Sequence, residues 1–346
     1  MSFILPELAE QLALPWSPEW DLAGTRARND QLFPERELVI SGATLTVAQA
    51  SGVEVRVWEP ANPTSIILAI HGGGYTAGHA HEDDERNGAM SVEYRAVVVS
   101  PEYRLAPEHP FPAGPSDCLT ALEWARAEYP SLPVYLYGDS AGAGLVETVA
   151  CWHLDRGWPA LAGLICLEPA LDPSVSTPSM TTYGLGPMWS RAKATGSWQA
   201  YLAGQDPTVL PRLQDRYRAT RQHGQEPGPQ PGTGSTTVPS ENADEQVARK
   251  DDRCPSESLP PVLVFVNPVD PLRDEGIEWA LGLADAGARI ELHLMPGTYH
   301  SALSVPGTQT WTRVRNIIRD FMETFPPEPL TPTPAQQTKT RGSHGQ

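Results

Sequence analysis

Residues 134–143 read VYLYGDSAGA, an apolar run that leads directly into the pattern Gly-x-Ser-x-Gly. The run predicts a buried β-strand, and Gly138 and Gly142 stand two positions before and after Ser140. In a sharp strand-to-helix turn only very small residues fit at these two positions, because a Cβ atom there would collide with neighbouring backbone. The turn forces its serine into unfavourable φ/ψ angles and lifts Oγ clear of the sheet. Ser140 is therefore a candidate nucleophile.

A second predicted strand lies upstream and ends in a run of glycines. Residues 65–70 read SIILAI, and residues 71–78 continue with HGGGYTAG. Consecutive glycines lose much backbone entropy on folding, so the run makes sense where N–H groups must face a cavity without side-chain obstruction. The loop therefore predicts an oxyanion hole, in which such N–H groups stabilise a negatively charged oxygen.

An acidic residue and a histidine follow two further predicted strands. Residues 261–266 read PVLVFV and precede Asp270, whereas residues 290–294 read IELHL and precede His300. The chain order Ser140, Asp270, His300 is the nucleophile, acid and base order expected of an α/β-hydrolase. The sequence therefore predicts acyl transfer by a serine triad.

Two other carboxylates compete with Asp270 for the acid role, because Asp274 and Glu275 lie in the same short segment. Asp270 directly follows the strand, where loops at carboxyl ends converge on a site. Residues 273–276 are predicted to open a helix, where acidic side chains suit the helix dipole. Asp270 is therefore the favoured acid.

Together these motifs resemble the hormone-sensitive-lipase-like esterases of the α/β-hydrolase superfamily, over roughly residues 53–325. The resemblance rests on HGGG-YTAG, GDSAG, DPLRDEG and the late histidine, and its most specific element is YRLAPEHPFPA at residues 103–113. It implies an α/β fold, with a mostly parallel central sheet flanked by helices and covered by a helical cap.

The resemblance also implies the role of each site residue. His300 removes the Ser140 proton during attack on an acyl carbonyl, and Asp270 fixes and stabilises the imidazole. An acyl-enzyme forms and water releases it, with neither cofactor nor metal. The predicted substrate is a short- or medium-chain acyl ester. The implied oxyanion donors are the backbone N–H groups of Gly73, Gly74 and Ala141.

Three alternatives stay open at this point. The HGGGY run also resembles the oxyanion loop of arylformamidases, and the same triad serves esters and amides. A ligand-binding protein without catalysis is less favoured, because Ser140 and both of its partners are present. His79, His81 and Asp83 resemble the zinc-binding run H-x-H-x-D, but an acidic helix start explains that run as well.

Composition limits the partners and the compartment. A formal net charge of −17 argues against nucleic acid and against a strongly anionic membrane surface, so we expect a small-molecule ester partner, with a homodimer possible. The N-terminus lacks the pattern of a secretory signal, no run is long enough to insert stably in a membrane, and cytoplasm is the expected location. The cysteines are scattered, which predicts reduced and mostly buried thiols at Cys118, Cys151, Cys166 and Cys254.

The chain is predicted to contain one catalytic domain over residues 46–325. Residues 1–45 are expected to form an N-terminal cap segment, and a cap insert is expected at about 172–215. Gly, Pro and polar residues dominate the stretch at about 219–256, which predicts a flexible insert. Residues 326–346 are expected to form a disordered tail.

Aromatic residues near the predicted cap are candidates for the substrate pocket. Tyr75 belongs to the glycine-rich loop, and the other candidates lie in the cap insert. Large aromatic side chains supply apolar contact area to an acyl or alcohol group, although they also pack cap helices on a core. The cap candidates are Tyr183, Trp189 and Tyr201.

Overall fold

The strand predicted before Ser140 lies near the middle of an eight-stranded sheet. The computed structural model describes residues 4–13, 16–224 and 259–326. Within these ranges the sheet order is β1-β2-β4-β3-β5-β6-β7-β8, antiparallel from β1 to β4 and parallel elsewhere. The strands are β1 (Ala43–Ala50), β2 (Val53–Pro60), β3 (Ser65–Ile70), β4 (Ala96–Pro101), β5 (Val134–Asp139), β6 (Gly163–Leu167), β7 (Val262–Val266) and β8 (Ile290–Leu294).

Helices cover both faces of this sheet. They are α1 (Leu22–Leu32), α2 (Asp84–Tyr94), α3 (Ala113–Glu128), α4 (Ala141–Asp155), α5 (Pro178–Thr182), α6 (Arg191–Leu202), α7 (Leu213–Gly224), α8 (Arg273–Asp285) and α9 (Gln309–Thr324). Short 3₁₀ turns lie at Pro6–Leu8, Gln11–Ala13, Ala80–Asp83 and Pro207–Val209. The predicted α/β fold is confirmed.

The central strands are apolar along their whole length because both of their faces are buried. Along β3, Ile66 and Leu68 join the core that includes residues of α3, α4 and α8, whereas Ile67 and Ala69 join the core of α2 and α9. Central parallel strands buried on two faces read as continuous apolar runs rather than alternating ones. The uninterrupted SIILAI and VLVFV patterns therefore place their strands in the parallel part of the sheet.

The strand order reverses between β3 and β5. The chain adds β4 on one side of β3, then crosses to β5 on the other side and continues outward through β8. At such a switch point the loops after the two central strands diverge and leave a crevice at the carboxyl ends of the strands. The glycine-rich loop after β3 and Ser140 after β5 therefore border the same crevice.

Several contacts anchor the N-terminal segment, and two of them lie beside the crevice. Leu8 is buried against Tyr299, whose hydroxyl donates to the Leu8 carbonyl at 2.8 Å. Further along, Arg26 of α1 forms a bidentate pair with Glu108 and donates to the Thr76 carbonyl at 2.8 Å. The segment therefore contacts both the loop before His300 and the loop after the glycine run.

The structure describes all of residues 172–215, predicted as the cap insert, but only part of the segments predicted after them. Helices α5, α6 and α7 fall within or just after residues 172–215, and α7 runs to Gly224, past the start predicted for the flexible insert. Buried Leu213 and Tyr217 hold this helix, and the Tyr217 hydroxyl donates to the Pro260 carbonyl at 2.5 Å. The rest of the predicted insert, residues 225–256, and the tail after residue 326 lie outside the described residues.

The structure bears on two expectations from composition, namely the buried thiols and the membrane. Cys118, Cys151 and Cys166 are free and buried, and Cys254 lies outside the described residues. Among the helices described, none combines the length and the apolar character that crossing a membrane requires.

The close backbone contact at Gly142, in the turn after β5, predicts how substitution there changes stability. An added Cβ at Gly142 would lie 2.1 Å from the Ile70 carbonyl oxygen, whereas one at Gly282 would meet only the movable end of the Gln214 side chain. We expect Gly142→Ala to lower the free energy of unfolding by about 1–3 kcal/mol, as overpacking does. Gly282→Ala should instead raise it by up to about 1 kcal/mol, because alanine favours the helix. Urea unfolding measures both, and equal midpoints for the two variants would contradict the prediction.

Candidate active site

Ser140 occupies a strained backbone position between β5 and α4. Its φ and ψ are 53° and −120°, a combination that an L-residue rarely adopts. The backbone is tied on both sides: Ser140 N donates to the Leu167 carbonyl at 2.8 Å, and Ala170 N donates to the Ser140 carbonyl at 3.1 Å. Glycine is required on both sides of Ser140, because an added Cβ at Gly138 would lie 2.4 Å from the Gly142 carbonyl carbon.

Ser140, His300 and Asp270 lie in one hydrogen-bonded row. Ser140 Oγ is 3.0 Å from His300 Nε2, and His300 Nδ1 is 3.0 Å from Asp270 Oδ2. All three side chains are buried, with at most 5% of Ser140 exposed. The distances are those required of a nucleophile in contact with a base and of a base oriented by an acid. The structure thus brings together residues that are up to 160 positions apart in the chain.

The Asp270 carboxylate is held from two further directions. Its Oδ1 accepts from Leu272 N at 2.8 Å, and its Oδ2 accepts from Asn267 Nδ2 at 3.0 Å. These bonds satisfy a carboxylate that is completely buried, which would otherwise carry a large desolvation cost. The orientation of Asp270 towards His300 is therefore fixed by its own loop.

The two competing carboxylates have other partners. Asp274 pairs with Arg273 at 2.8 Å and accepts from Ser179 N at 2.7 Å. Glu275 is buried in the first turn of α8 and accepts from Leu171 N at 2.6 Å. Both carboxylates hold the segment after β6, and the hydrogen bonds to His300 in the described chain include neither of them.

The glycine-rich loop after β3 packs close to Ser140. Gly73 and Gly74 have φ values of 108° and 63°, and an added Cβ at Gly73 would lie 1.9 Å from the Ala77 carbonyl oxygen. A Cβ at Gly72 would come within 3.4 Å of Ser140 Cβ. Gly73 and Gly74 line the cavity at Ser140, whereas Ala141 is buried at the first position of α4, where a helix leaves its N–H groups free.

A cavity of about 580 Å³ opens onto these groups. Its wall includes Ser140, His300 and Trp189, whose ring centroid is 5.7 Å from that of His300. Helix α6 adds Lys193 and Ser197, and the N-terminal segment adds several side chains. The N-terminal members are Gln11, Trp16, Trp20, Leu22, Thr25, Arg28, Asn29, Leu32, Phe33, Pro34, Arg36 and Leu38.

Of the four aromatic residues expected in the pocket, only Trp189 lines this cavity. Tyr75 is buried, stacks on Tyr201 with centroids 4.1 Å apart and donates to the Ala170 carbonyl at 2.7 Å. The guanidinium carbon of Arg273 lies 5.2 Å from the centroid of the Tyr183 ring. The pocket expectation is therefore corrected for Tyr75, Tyr183 and Tyr201, because the hydroxyl and stacking partners of these residues lie in the packing between the cap insert and the core.

A second carboxylate beside His300 was not identified from the sequence. Glu168 directly follows β6, is 2% exposed, and places Oε2 at 4.0 Å from His300 Nδ1. Its Oε1 accepts from Ser301 N at 2.8 Å, and its Oε2 accepts from Asn267 Nδ2. The argument that favours Asp270, an acidic residue in the loop at the carboxyl end of a strand, applies equally to Glu168, which directly follows β6.

These neighbours change the ionisation of the imidazole. Burial by itself lowers the pKa of His300, but the nearby Asp270 and Glu168 carboxylates outweigh it and raise the pKa to about 9. Burial raises the pKa of Glu168 to about 8, and the negative Asp270 acts in the same direction, whereas a charged His300 opposes it. The site thus places two carboxyl groups around one buried imidazole.

The suspected zinc run has other contacts. His79 Nδ1 lies 2.6 Å from Glu102, His81 Nε2 lies 3.1 Å from the Phe33 carbonyl, and Asp83 pairs with Arg86 at 2.6 Å. In the described chain, potential metal-ligand atoms converge instead at Glu168, Asp270 and His300, all within 4.8 Å. Hydrogen bonds from Asn267, Leu272 and Ser301 already engage the carboxylates of that group.

Comparison with known proteins gives the same fold. A family model described as "alpha/beta hydrolase fold" matches residues 67–222 and 235–304. The carboxylesterase NlhH of Mycobacterium tuberculosis is 31% identical over 303 residues, which cover 83% of this chain and 84% of that protein. The ethyl acetate hydrolase of Pseudomonas putida is 25% identical over 274 residues, covering 75% and 74%.

Solved structures agree over a larger share of the chain. The structure titled "Bacterial Heroin Esterase" superposes with a TM-score of 0.72 at 30% identity, and the match covers 92% of this chain and 98% of that one. "Crystal Structure of DphMB1" superposes with a TM-score of 0.71 at 26% identity, covering 93% and 100%.

The contacts of His300 predict how its pKa responds to substitution. Asp270→Asn should lower the pKa of His300 by about 1–3 units, because it removes the negative charge in direct contact with the imidazolium. Asp274→Asn, which removes a carboxylate paired with Arg273 instead, should leave that pKa unchanged. NMR titration of histidine-labelled protein measures both. The assignment of Asp270 as the acid is wrong if the two variants behave alike.

Proposed function

Because the chain belongs to the alpha/beta hydrolase fold family, among its hormone-sensitive-lipase-like esterases, we propose that it cleaves short- to medium-chain acyl esters through an acyl-Ser140 intermediate. It is a carboxylic-ester hydrolase, in line with the relatives named above. The observation that carries the finer proposal is the row of two 3.0 Å contacts from Ser140 Oγ through His300 to Asp270.

The first half of the reaction follows from this row. His300 Nε2 accepts the Ser140 hydroxyl proton as Oγ attacks the ester carbonyl carbon. Asp270 accepts a hydrogen bond from Nδ1–H, which fixes the tautomer that leaves Nε2 free as the base and stabilises the imidazolium. His300 then gives the proton to the leaving alkoxide, and an acyl-serine and an alcohol result.

Three backbone N–H groups are proposed to stabilise the tetrahedral intermediate. Those of Gly73 and Gly74 border the cavity beside Ser140, and that of Ala141 begins α4, where the helix dipole favours negative charge. Such donors cost no reorganisation during the reaction because the backbone holds them in place. A water activated by His300 repeats the steps on the acyl-serine and releases a carboxylic acid.

The cavity supports the proposed substrate class. A volume of about 580 Å³ suits a small ester, and Trp189 beside His300 limits the length of the group that fits there. Trp189 Nε1 and Ser197 Oγ are buried without a hydrogen-bond partner in the described chain, so both can donate to polar substrate atoms. We infer that α6 and the N-terminal segment form the cap over this space.

Replacement of the nucleophile tests the mechanism. Ser140→Ala should lower kcat on p-nitrophenyl butyrate by about five to six orders of magnitude while folding is kept. A fluorophosphonate should add one adduct to the wild-type protein and none to Ser140→Ala, as read from intact mass. Ser116→Ala, which removes a hydroxyl bonded to the Pro112 carbonyl in α3, serves as the control. An adduct on Ser140→Ala would place the nucleophile elsewhere.

The cavity wall predicts chain-length preference. Trp189→Ala should raise kcat/KM for p-nitrophenyl octanoate relative to butyrate by about tenfold, because it lengthens an apolar pocket. Tyr183→Ala, outside the cavity wall, should leave the ratio unchanged. A matched anilide measured beside the butyrate ester separates ester from amide cleavage, and faster anilide turnover would contradict the esterase proposal.

A further inference from the structure

Glu168 is a buried carboxylate that the reaction described above does not use. It lies at the carboxyl end of β6, beside β7, and Glu168 N donates to the Phe265 carbonyl at 2.8 Å. Its φ of 43° is in the left-handed region, which a residue with a long side chain seldom adopts. A strained backbone and a buried acid at the same position call for a specific role, because both are costly.

The two acids near His300 are linked through one amide group. Asn267 Nδ2 donates to Glu168 Oε2 and to Asp270 Oδ2, while Asn267 Oδ1 accepts from the Thr298 hydroxyl at 2.7 Å. The amide nitrogen carries two hydrogens, so each carboxylate receives one. The two carboxyl groups set the direction of the amide, because their acceptor oxygens require the nitrogen end to face them. The Thr298 hydroxyl lies beside the oxygen end and also lies 2.7 Å from the Met295 carbonyl.

Glu168 contacts the histidine loop as well as this amide. Its Oε1 accepts from Ser301 N, the amide that follows His300, and its Oε2 lies 4.0 Å from Nδ1. Asp270 Oδ2 lies 3.0 Å from the same nitrogen. A movement of about 1 Å would bring the Glu168 oxygen to hydrogen-bonding distance from Nδ1.

We propose that Glu168 is a second acid for His300, a positioning residue that acts with Asp270 and takes over its hydrogen bond when Asp270 is removed. This inference rests on the proposed function, since it concerns the same base. Adjacent parallel strands present their carboxyl ends side by side, so β6 and β7 offer two positions from which an acid can reach one histidine.

The charges around Glu168 support its replacing Asp270 as the hydrogen-bond acceptor of His300. The charged or titratable groups that face it in the described chain include His300, Asp270, Asp139, Tyr137 and Tyr299. Burial together with the like charge of Asp270 raises the pKa of Glu168. Removing Asp270 removes that like charge, so Glu168 ionises more readily. The remaining carboxylate is then able to accept from Nδ1–H and to stabilise the imidazolium.

The first variant is Glu168→Gln with Asp270 intact. It should lower kcat by about three- to thirtyfold at little change in KM, and shift the acid limb of kcat/KM to lower pH. The shift follows because loss of a negative charge lowers the pKa of His300. Glu275→Gln is the matched control, a buried carboxylate at the same edge that bonds backbone N–H groups of residues 171 and 172. It should leave the acid limb in place.

The decisive comparison uses Asp270→Ala as background. Asp270→Ala/Glu168→Gln should be at least tenfold slower than Asp270→Ala, whereas Asp270→Ala/Glu275→Gln should match it. Equal rates for Asp270→Ala and Asp270→Ala/Glu168→Gln would overturn the inference. Circular dichroism melting checks folding, and where Glu168→Gln does not fold, Glu168→Asp replaces it. On the Asp270→Ala background its shorter carboxylate lies further from Nδ1, so a rate below that of Asp270→Ala supports the proposal and an equal rate contradicts it.

Fluorophosphonate labelling distinguishes failure of the proposed esterase function from failure of the Glu168 role alone. A wild-type protein that is not labelled at Ser140 overturns the proposed function and the inference with it. Labelling of the wild type, combined with equal rates for the single and double variants, overturns only the role of Glu168.

Discussion

The close approach of α4 to β3 and β5 is the constraint on which the site depends. Gly138 and Gly142 allow this approach, because an added Cβ at either position would lie within about 2.5 Å of neighbouring backbone atoms. The chain then has to reverse within a few residues, and Ser140 takes the strained angles that the reversal demands. Backbone hydrogen bonds with Leu167 at the end of β6 and with Ala170 in the following loop hold this strained conformation on both sides.

The other site residues depend on the same arrangement of strands. The reversal of strand order between β3 and β5 opens the crevice, and β6, β7 and β8 bring their loops to its rim. Three buried ionisable groups meet there, a costly arrangement unless each is hydrogen-bonded. The Asn267 amide and the backbone N–H groups of Leu272 and Ser301 satisfy the carboxylates, and these in turn orient His300.

The parts predictable from the sequence are those with strong local signals. The strand runs, the elbow around Ser140 and the glycine-rich loop each follow from steric demands that few residues meet. The carboxylates around His300 were harder to identify, because the sequence analysis compares Asp270 only with Asp274 and Glu275. Glu168 also follows a parallel strand, and distances to His300 distinguish it from Asp270. The expectation for the aromatic pocket was wrong for Tyr75, because composition does not reveal that its ring faces Tyr201 rather than the cavity.

The sequence by itself determined the fold class, the position of the candidate nucleophile and the order of the candidate triad residues along the chain. These features depend on neighbouring residues, through strand periodicity and the absence of Cβ atoms at two glycines. Only the tertiary structure decided which carboxylate contacts His300, which aromatic side chain borders the cavity, and that Glu168 lies beside the same imidazole. Each of these depends on residues about 30 to 160 positions apart, and packing of separate loops, rather than local sequence, sets their distances.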